Sequence, residues 1–289
     1  MIFRRQVLFI SAFILLFGAA EERTFAEGDA KRGEYLVKVA NCIGCHTEEH
    51  EGADPYAGGR SLKTPFGTFF GPNITQDLNT GIGRWTEVDF VRAMRFGIRP
   101  DGATYFPAFP YPSYTKISAI DMSDMWAYLR TLKPAVRSNR THELGFFFRW
   151  RFLVRVWKWL FFTPGSFIDD PGRSPVVNRG AYLVQAVCHC GECHTPRNAL
   201  GAPKSGRYMA GGKNPEGKKV PNLTPTGLNK WSDQELRDYL TTGIMPDGDV
   251  VNKTMGEVIQ NSLGQLTGDD LTAVTDYLRS LTPVQDEPG

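Results

Sequence analysis

The sequence is poor in the residues that carry most chemistry. It has only five cysteines and five histidines in 289 residues. It holds no glycine-rich dinucleotide fingerprint, no P-loop and no nucleophile elbow, so it gives no footing to nucleotide-dependent or serine-hydrolase chemistry. Charge of one sign is missing too. A net charge of +2 offers no basic excess for nucleic acid. No stretch reads as an extended strand, which predicts an all-α fold. The length suggests about two domains, and an apolar content of 41% is enough for two cores.

The scarce residues are not scattered. Cys42-Ile43-Gly44-Cys45-His46 returns as Cys190-Gly191-Glu192-Cys193-His194, which takes up four of the five cysteines and two of the five histidines. Cys-x-x-Cys-His is the attachment signature of a c-type haem. Two thiols add across the two porphyrin vinyl groups, and the two residues between them set the reach. The adjacent imidazole then lies under the iron as proximal ligand. A zinc knuckle or a redox dithiol needs no histidine directly after the second cysteine. Two covalently bound haem c groups are therefore expected, attached at Cys42, Cys45, Cys190 and Cys193, with His46 and His194 on iron. Cys188 is left over and reads as a small buried apolar residue. His189 reads as a surface residue or a support to the site.

The motif is part of a repeat. Gly33-Glu34-Tyr35-Leu36-Val37 matches Gly180-Ala181-Tyr182-Leu183-Val184 at an offset of 147, and His46 matches His194 at 148. Pro72-Asn73-Ile74-Thr75 matches Pro221-Asn222-Leu223-Thr224 at 149, and the Pro-Asp-Gly turns at Pro100 and Pro246 match at 146. Each copy reads as three helices between Gly/Pro-rich loops. Thr86 with Asp89 and Ser232 with Glu235 are capping-box patterns, while Gly97 and Gly243 are C-cap candidates. Pro72 and Pro221 stand where a carbonyl could hold the second nitrogen of each proximal imidazole. The order helix, haem loop, helix, helix resembles the class I cytochrome c fold. The expected domains are 27–133 and 176–289, joined by a linker over 134–175.

The copies differ where a sixth iron ligand belongs. Met255 follows the second Pro-Asp-Gly turn and is the expected thioether ligand of haem 2, which raises a reduction potential. The equivalent position in the first copy is Phe109, which cannot ligate iron. Of the remaining methionines, Met94, Met122 and Met125 read as core, with Met122 nearest the loop. His50 and His142 are the remote candidates. Haem 1 is expected to be weakly ligated or five-coordinate.

Two segments lie outside the repeat. Arg4 and Arg5 precede an apolar run from Val7 to Phe17 and then Gly18-Ala19-Ala20, which reads as an export signal over residues 1–26, cleaved or kept as an anchor. The linker carries seven basic residues and one acidic residue between Lys133 and Lys158, and its centre is strongly aromatic. Its interspersed charges speak against a membrane span. Packing between domains is the expected role, with contact to a membrane surface or a partner as the alternative.

Arg99-Pro100-Asp101-Gly102, Pro107-Ala108-Phe109-Pro110-Tyr111, the run from His189 to Asn198, and Pro221-Asn222-Leu223-Thr224 together resemble the cytochrome c subunits of membrane-bound alcohol, gluconate and sorbitol dehydrogenases. The resemblance covers nearly the whole chain after the signal. It implies a periplasmic or membrane-face electron carrier, working between a dehydrogenase catalytic subunit and a quinone or terminal oxidase. Those subunits typically have three haem domains, whereas this chain has two motifs. The rival expectation is a dihaem enzyme, a peroxidase or sulfur-compound oxidoreductase, working at an open haem 1.

Overall fold

The computed structural model describes residues 27–214, 217–251 and 253–286. The signal expected over residues 1–26 lies outside them.

The first half begins with α1 (Ala30–Val39), whose start is set by Asp29: its carboxylate accepts from the Lys31 and Arg32 amides. Helix α2 (Cys42–His46) follows at once, after Asn41 takes a left-handed backbone step at φ 54°. A hairpin of β1 (Ser61–Thr64) and β2 (Gly67–Phe70) comes next. Helix α3 (Glu87–Phe96) opens with the capping box of Thr86 and Asp89 and ends at Gly97, φ 56°. Short α4 (Tyr111–Tyr114) leads into α5 (Ala119–Leu129), capped by Ser118. The connecting segment contributes β3 (Glu143–Leu144) and α6 (Arg151–Phe161).

The second half repeats this plan. It runs through α7 (Pro175–Tyr182), α8 (Gly191–His194), a small hairpin of β4 (Gly212–Lys213) and β5 (Lys219–Val220), then α9 (Asp233–Thr242), α10 (Lys253–Asn261) and α11 (Gly268–Arg279). Ser232 and Glu235 form the second capping box, and Gly243 at φ 76° ends α9. Helix α7 starts at Pro175, because Ser174 caps it with proline at the first position. Between α7 and α8 the backbone takes a π-helical turn over Leu183–Val187. The repeat offset grows from 147 to 148 across this stretch. One added residue fits there as one wide turn.

The all-α expectation is overturned by the two sheets. Strands β1 and β2 pair antiparallel from Ser61↔Phe70 to Thr64↔Gly67. Strand β3 joins at Gly67↔Leu144 and Thr68↔Glu143, and β4 pairs with β5 at Gly212↔Val220. These strands are two to four residues long, too short to build a readable alternation. Glycine permits the closest approach: at Gly67, φ 127°, an added Cβ would sit 2.3 Å from the Glu143 carbonyl oxygen. The connecting segment is thus hydrogen-bonded into the first half. Asn73 N donates to Asn139 Oδ1 (2.7 Å) and its Nδ2 to Ala135 O (2.7 Å).

Two crossings form the frame. Helix α1 crosses α5, and α7 crosses α11, each so tightly that only glycine fits. A Cβ on Gly33 would lie 1.8 Å from the Asp124 carbonyl oxygen, and one on Gly180 would lie 1.8 Å from that of Ala273. The halves then pack through a reciprocal exchange. Tyr35 donates to Asp270 at 2.5 Å, and its repeat equivalent Tyr182 donates to Asp121. Each aspartate is also held within its own half, Asp121 by Arg32 and Asp270 by Arg179 at 2.7 Å. Burial pushes the phenol pKa of both tyrosines up, and their carboxylate partners add to the shift. Like an isologous interface between two subunits, one patch meets its own counterpart. Ser262 Oγ adds a buried bond to Val39 O at 2.6 Å.

Candidate functional site

Both motifs lie at the same kind of place, a helical turn entered through a left-handed residue. Asn41 precedes Cys42 at φ 54°, and His189 precedes Cys190 at φ 43°. This step separates each motif turn from the helix before it, and the histidine at the end of each turn lines a shared cavity. His46 Nδ1 donates to Pro72 O at 2.7 Å, and His194 Nδ1 donates to Pro221 O at 2.9 Å. That bond fixes the tautomer with the lone pair on Nε2, the form a metal ligand requires. Burial lowers the pKa of both imidazoles, with the proline carbonyls opposing the shift.

Both histidines line one cavity of about 3000 Å³. A small-molecule site takes roughly 300–1,000 Å³, so this one suits two large ligands rather than one small one. Cys42, Cys45 and Cys193 line it, with Cys190 beside it at the start of α8. Burial, with the paired thiol adding to it, pushes Cys42 and Cys190 up to about 12. Much of the wall is aromatic and apolar, including Trp85, Phe109 and Trp231. Arg60 brings a guanidinium to the cavity whose Nε is buried without a partner. Arg60 Nη2 is paired with Glu49 and with Glu257 (2.6 Å), so the buried Nε is the donor left over. A largely apolar slot edged by one such donor fits a large planar apolar group such as a porphyrin. The residues present fit haem on each count.

Met255 sits in the first turn of α10, not in a loop, and lines the same cavity as His194. Phe109 lines the cavity in the first half and packs in an aromatic cluster with Tyr105 (5.3 Å) and Tyr114 (5.7 Å). Among the spare methionines, Met94 and Met125 reach the cavity. Met122, the expected best of them, is fully buried in the core and does not line it, because its place on α5 faces inward. His50 is exposed and pairs with Glu48 at 3.1 Å.

Two further histidines reach the site. His142 reaches the cavity wall because β3 carries the connecting segment alongside β2. Its Nδ1 accepts from Phe70 N at 3.2 Å, so a neutral ring presents its proton on Nε2. Burial lowers its pKa, and Arg151 and Arg99 lower it further. His189 is half-buried and lines the cavity, in keeping with its reading as a support to the site. It stacks edge-on against Tyr114 at 5.4 Å, and Tyr114 Oη donates to Ala40 O at 3.1 Å. Tyr114 therefore joins the residues that precede the two motifs. Only contacts between halves reveal this, and a linear pattern carries no signal for them. Cys188 is buried in the core, as its apolar reading expects, and burial holds its pKa far above the usual thiol value.

The cytochrome c family profile matches residues 30–133. A "Diheme cytochrome c-type" protein of Cereibacter sphaeroides is 38% identical, over 98% of this chain and 100% of its own length. The "Alcohol dehydrogenase (quinone), cytochrome c subunit" of Gluconobacter oxydans is 38% identical over 95% of this chain, which spans 59% of that subunit. The "Gluconate 2-dehydrogenase cytochrome c subunit" of Pantoea cypripedii is 35% identical over 96% of this chain, which spans 65% of that subunit. With a dihaem relative matched along its whole length, the chain belongs to the dihaem c-type cytochromes, electron-transfer proteins with two covalently bound haem c groups.

Proposed function

We propose that this cytochrome relays single electrons at the periplasmic face of the cell membrane, from a dehydrogenase catalytic subunit to a quinone or terminal oxidase. Segments 27–133 and 176–289 hold one haem each, with 134–175 between them. Cys42 and Cys45 tether haem 1, and Cys190 and Cys193 tether haem 2. His46 and His194 are the proximal ligands, and Met255 is the sixth ligand of haem 2. When bound, each haem supplies a one-electron iron couple. The protein orients the two imidazoles through Pro72 and Pro221 and excludes water with its aromatic wall. The observation that carries the reading is that His46 and His194 face one shared cavity. The relatives named as dehydrogenase subunits support the donor class.

Carbon monoxide tests the relay against an enzyme at an open haem 1. The reduced spectrum is expected to keep haem 2 unchanged when the gas is added. A haem 2 that binds carbon monoxide would sink the Met255 assignment. Turnover of peroxide or of a sulfur compound at haem 1 would replace the relay with catalysis. The wall around Phe109 argues against that, since its neighbours Tyr105 and Tyr114 both have pKa values raised by burial, which makes them poor proton donors at neutral pH.

A further inference from the structure

Helix α6 has two faces. Leu153, Val154, Trp157 and Leu160 line the haem cavity, and Trp157 Nε1 donates to Leu200 O at 2.9 Å. That bond ties this face to the loop after α8. Phe146, Phe147, Trp150, Phe152 and Trp159 line no part of the cavity, so a bound haem leaves them bare. Their exposures are 68, 73, 55, 54 and 81%. Single exposed apolar residues are ordinary, but five aromatics within 14 residues form a patch that calls for an occupant.

Charge identifies the occupant. From Leu144 to Ile168 there is no acidic residue, while Arg149, Arg151, Arg155 and Lys158 are basic. Arg155 is exposed beside the aromatics and lines no part of the cavity, while Arg149 and Arg151, though partly open to solvent, reach the cavity wall. Tryptophan and phenylalanine interleaved with cations match the headgroup layer of an anionic bilayer, where ring bodies bury and guanidiniums meet lipid phosphates. At 11 residues α6 is about 16 Å long, far short of the ~30 Å of a hydrocarbon core. Among the described residues no helix is long and apolar enough to cross a membrane. The geometry suits a helix lying in the membrane plane.

We propose that the outer face of α6, with the preceding Phe146–Arg149 turn, seats this cytochrome flat on an anionic lipid surface. The inner face of the same helix then holds the haem cavity one helix diameter, about 10 Å, from the bilayer. The proposal deepens the membrane-face reading above and rests on it for the compartment.

The test is co-sedimentation of the exported holoprotein with vesicles of pure phosphatidylcholine and of equal parts phosphatidylcholine and phosphatidylglycerol. Wild type sediments with the mixed vesicles. Phe147→Ser with Trp159→Ser weakens partitioning roughly tenfold or more, and Arg155→Gln weakens it about fivefold on mixed vesicles only. Unchanged haem spectra show that the variants are folded. The N-terminal segment is common to all of them and cannot produce the difference. The proposal is overturned if wild type stays in the supernatant with both vesicles, or if the double variant binds as wild type does. It is equally overturned if wild type ignores vesicles while the double variant loses binding to a dehydrogenase subunit, which assigns the face to a protein. Vesicle binding by a chain that relays no electrons upholds the seat and sinks the proposed function alone.

Discussion

The two halves share their frame and differ in their cavity walls. Both put glycine at the crossing of first and last helices, both open the middle helix with a capping box, and both bond the motif histidine to a proline carbonyl. The crossing glycines are demanded by backbone geometry, and a side chain there breaks the fold whatever the function. The divergence lies on the facing wall. Phe109 in an aromatic cluster stands against Met255 on a helix, and Arg99 stands against Met245, all four lining the cavity. A duplicated scaffold can hold the same cofactor twice and still give the two copies different chemistry, because the residues that hold it and the residues that tune it are different sets.

The comparison breaks most completely at the crossings. Gly33→Val and Gly180→Val each drive a side chain into backbone 1.8 Å away. Each is expected to cost more than about 4 kcal/mol, read as loss of cooperative thermal unfolding in the half concerned. An effect in only one half would show that the frames are not equivalent. A smaller change should make the walls alike. Phe109→Met is expected to raise the haem 1 potential and to remove any carbon monoxide binding there, while Met255→Leu lowers the haem 2 potential. Both shifts are on the order of 0.1–0.3 V, a fraction of the range axial ligands span, measured by redox titration. Equal potentials in wild type would remove the distinction.

Smaller again are the exchanged phenols. Tyr35→Phe and Tyr182→Phe each remove a hydrogen bond to a carboxylate, worth about 1.5–3 kcal/mol, and urea unfolding should give similar losses for both. The smallest effect is acid sensitivity. Burial opposes ionisation of Asp270, yet hydrogen bonds from Arg179 and Tyr35 outweigh it and hold its pKa below the usual value. A depressed folded pKa contributes stability above the unfolded value, about 3.9 for aspartate. That contribution is lost as pH falls through the lower folded value. Melting temperature should therefore be flat in this respect above about pH 4 and fall below it, and Arg179→Met should flatten the fall.

Much of this was legible in the sequence because it is local or repeated. The capping pairs at Thr86 and Ser232, the C-cap glycines and the prolines at 72 and 221 each announce themselves within a few residues of the feature they build. What was missed depends on distance. Strand β2 exists because β1 and β3 pair with it, and β3 comes from a segment that reads only as linker. His142 looked remote for the same reason. Met122 and Met125 are three apart on α5, and only the packed helix shows that Met125 meets the cavity while Met122 meets the core. The reciprocal tyrosine bonds were hidden although both tyrosines stood in the repeat, since a repeat reveals equivalence and not contact.

The π-helical turn at Leu183–Val187 has a consequence for how far the copies can drift. In an α-helix one inserted residue rotates everything after it by about 100°, which would swing the following motif off its cavity. A single wide turn takes up the extra residue locally and returns the chain to phase before Cys190. Insertions are therefore tolerable between the crossing glycine and the first motif cysteine and nowhere inside the motif. Deleting one residue from the turn should give an ordinary helix, as in the first half, with the porphyrin attachment still in register.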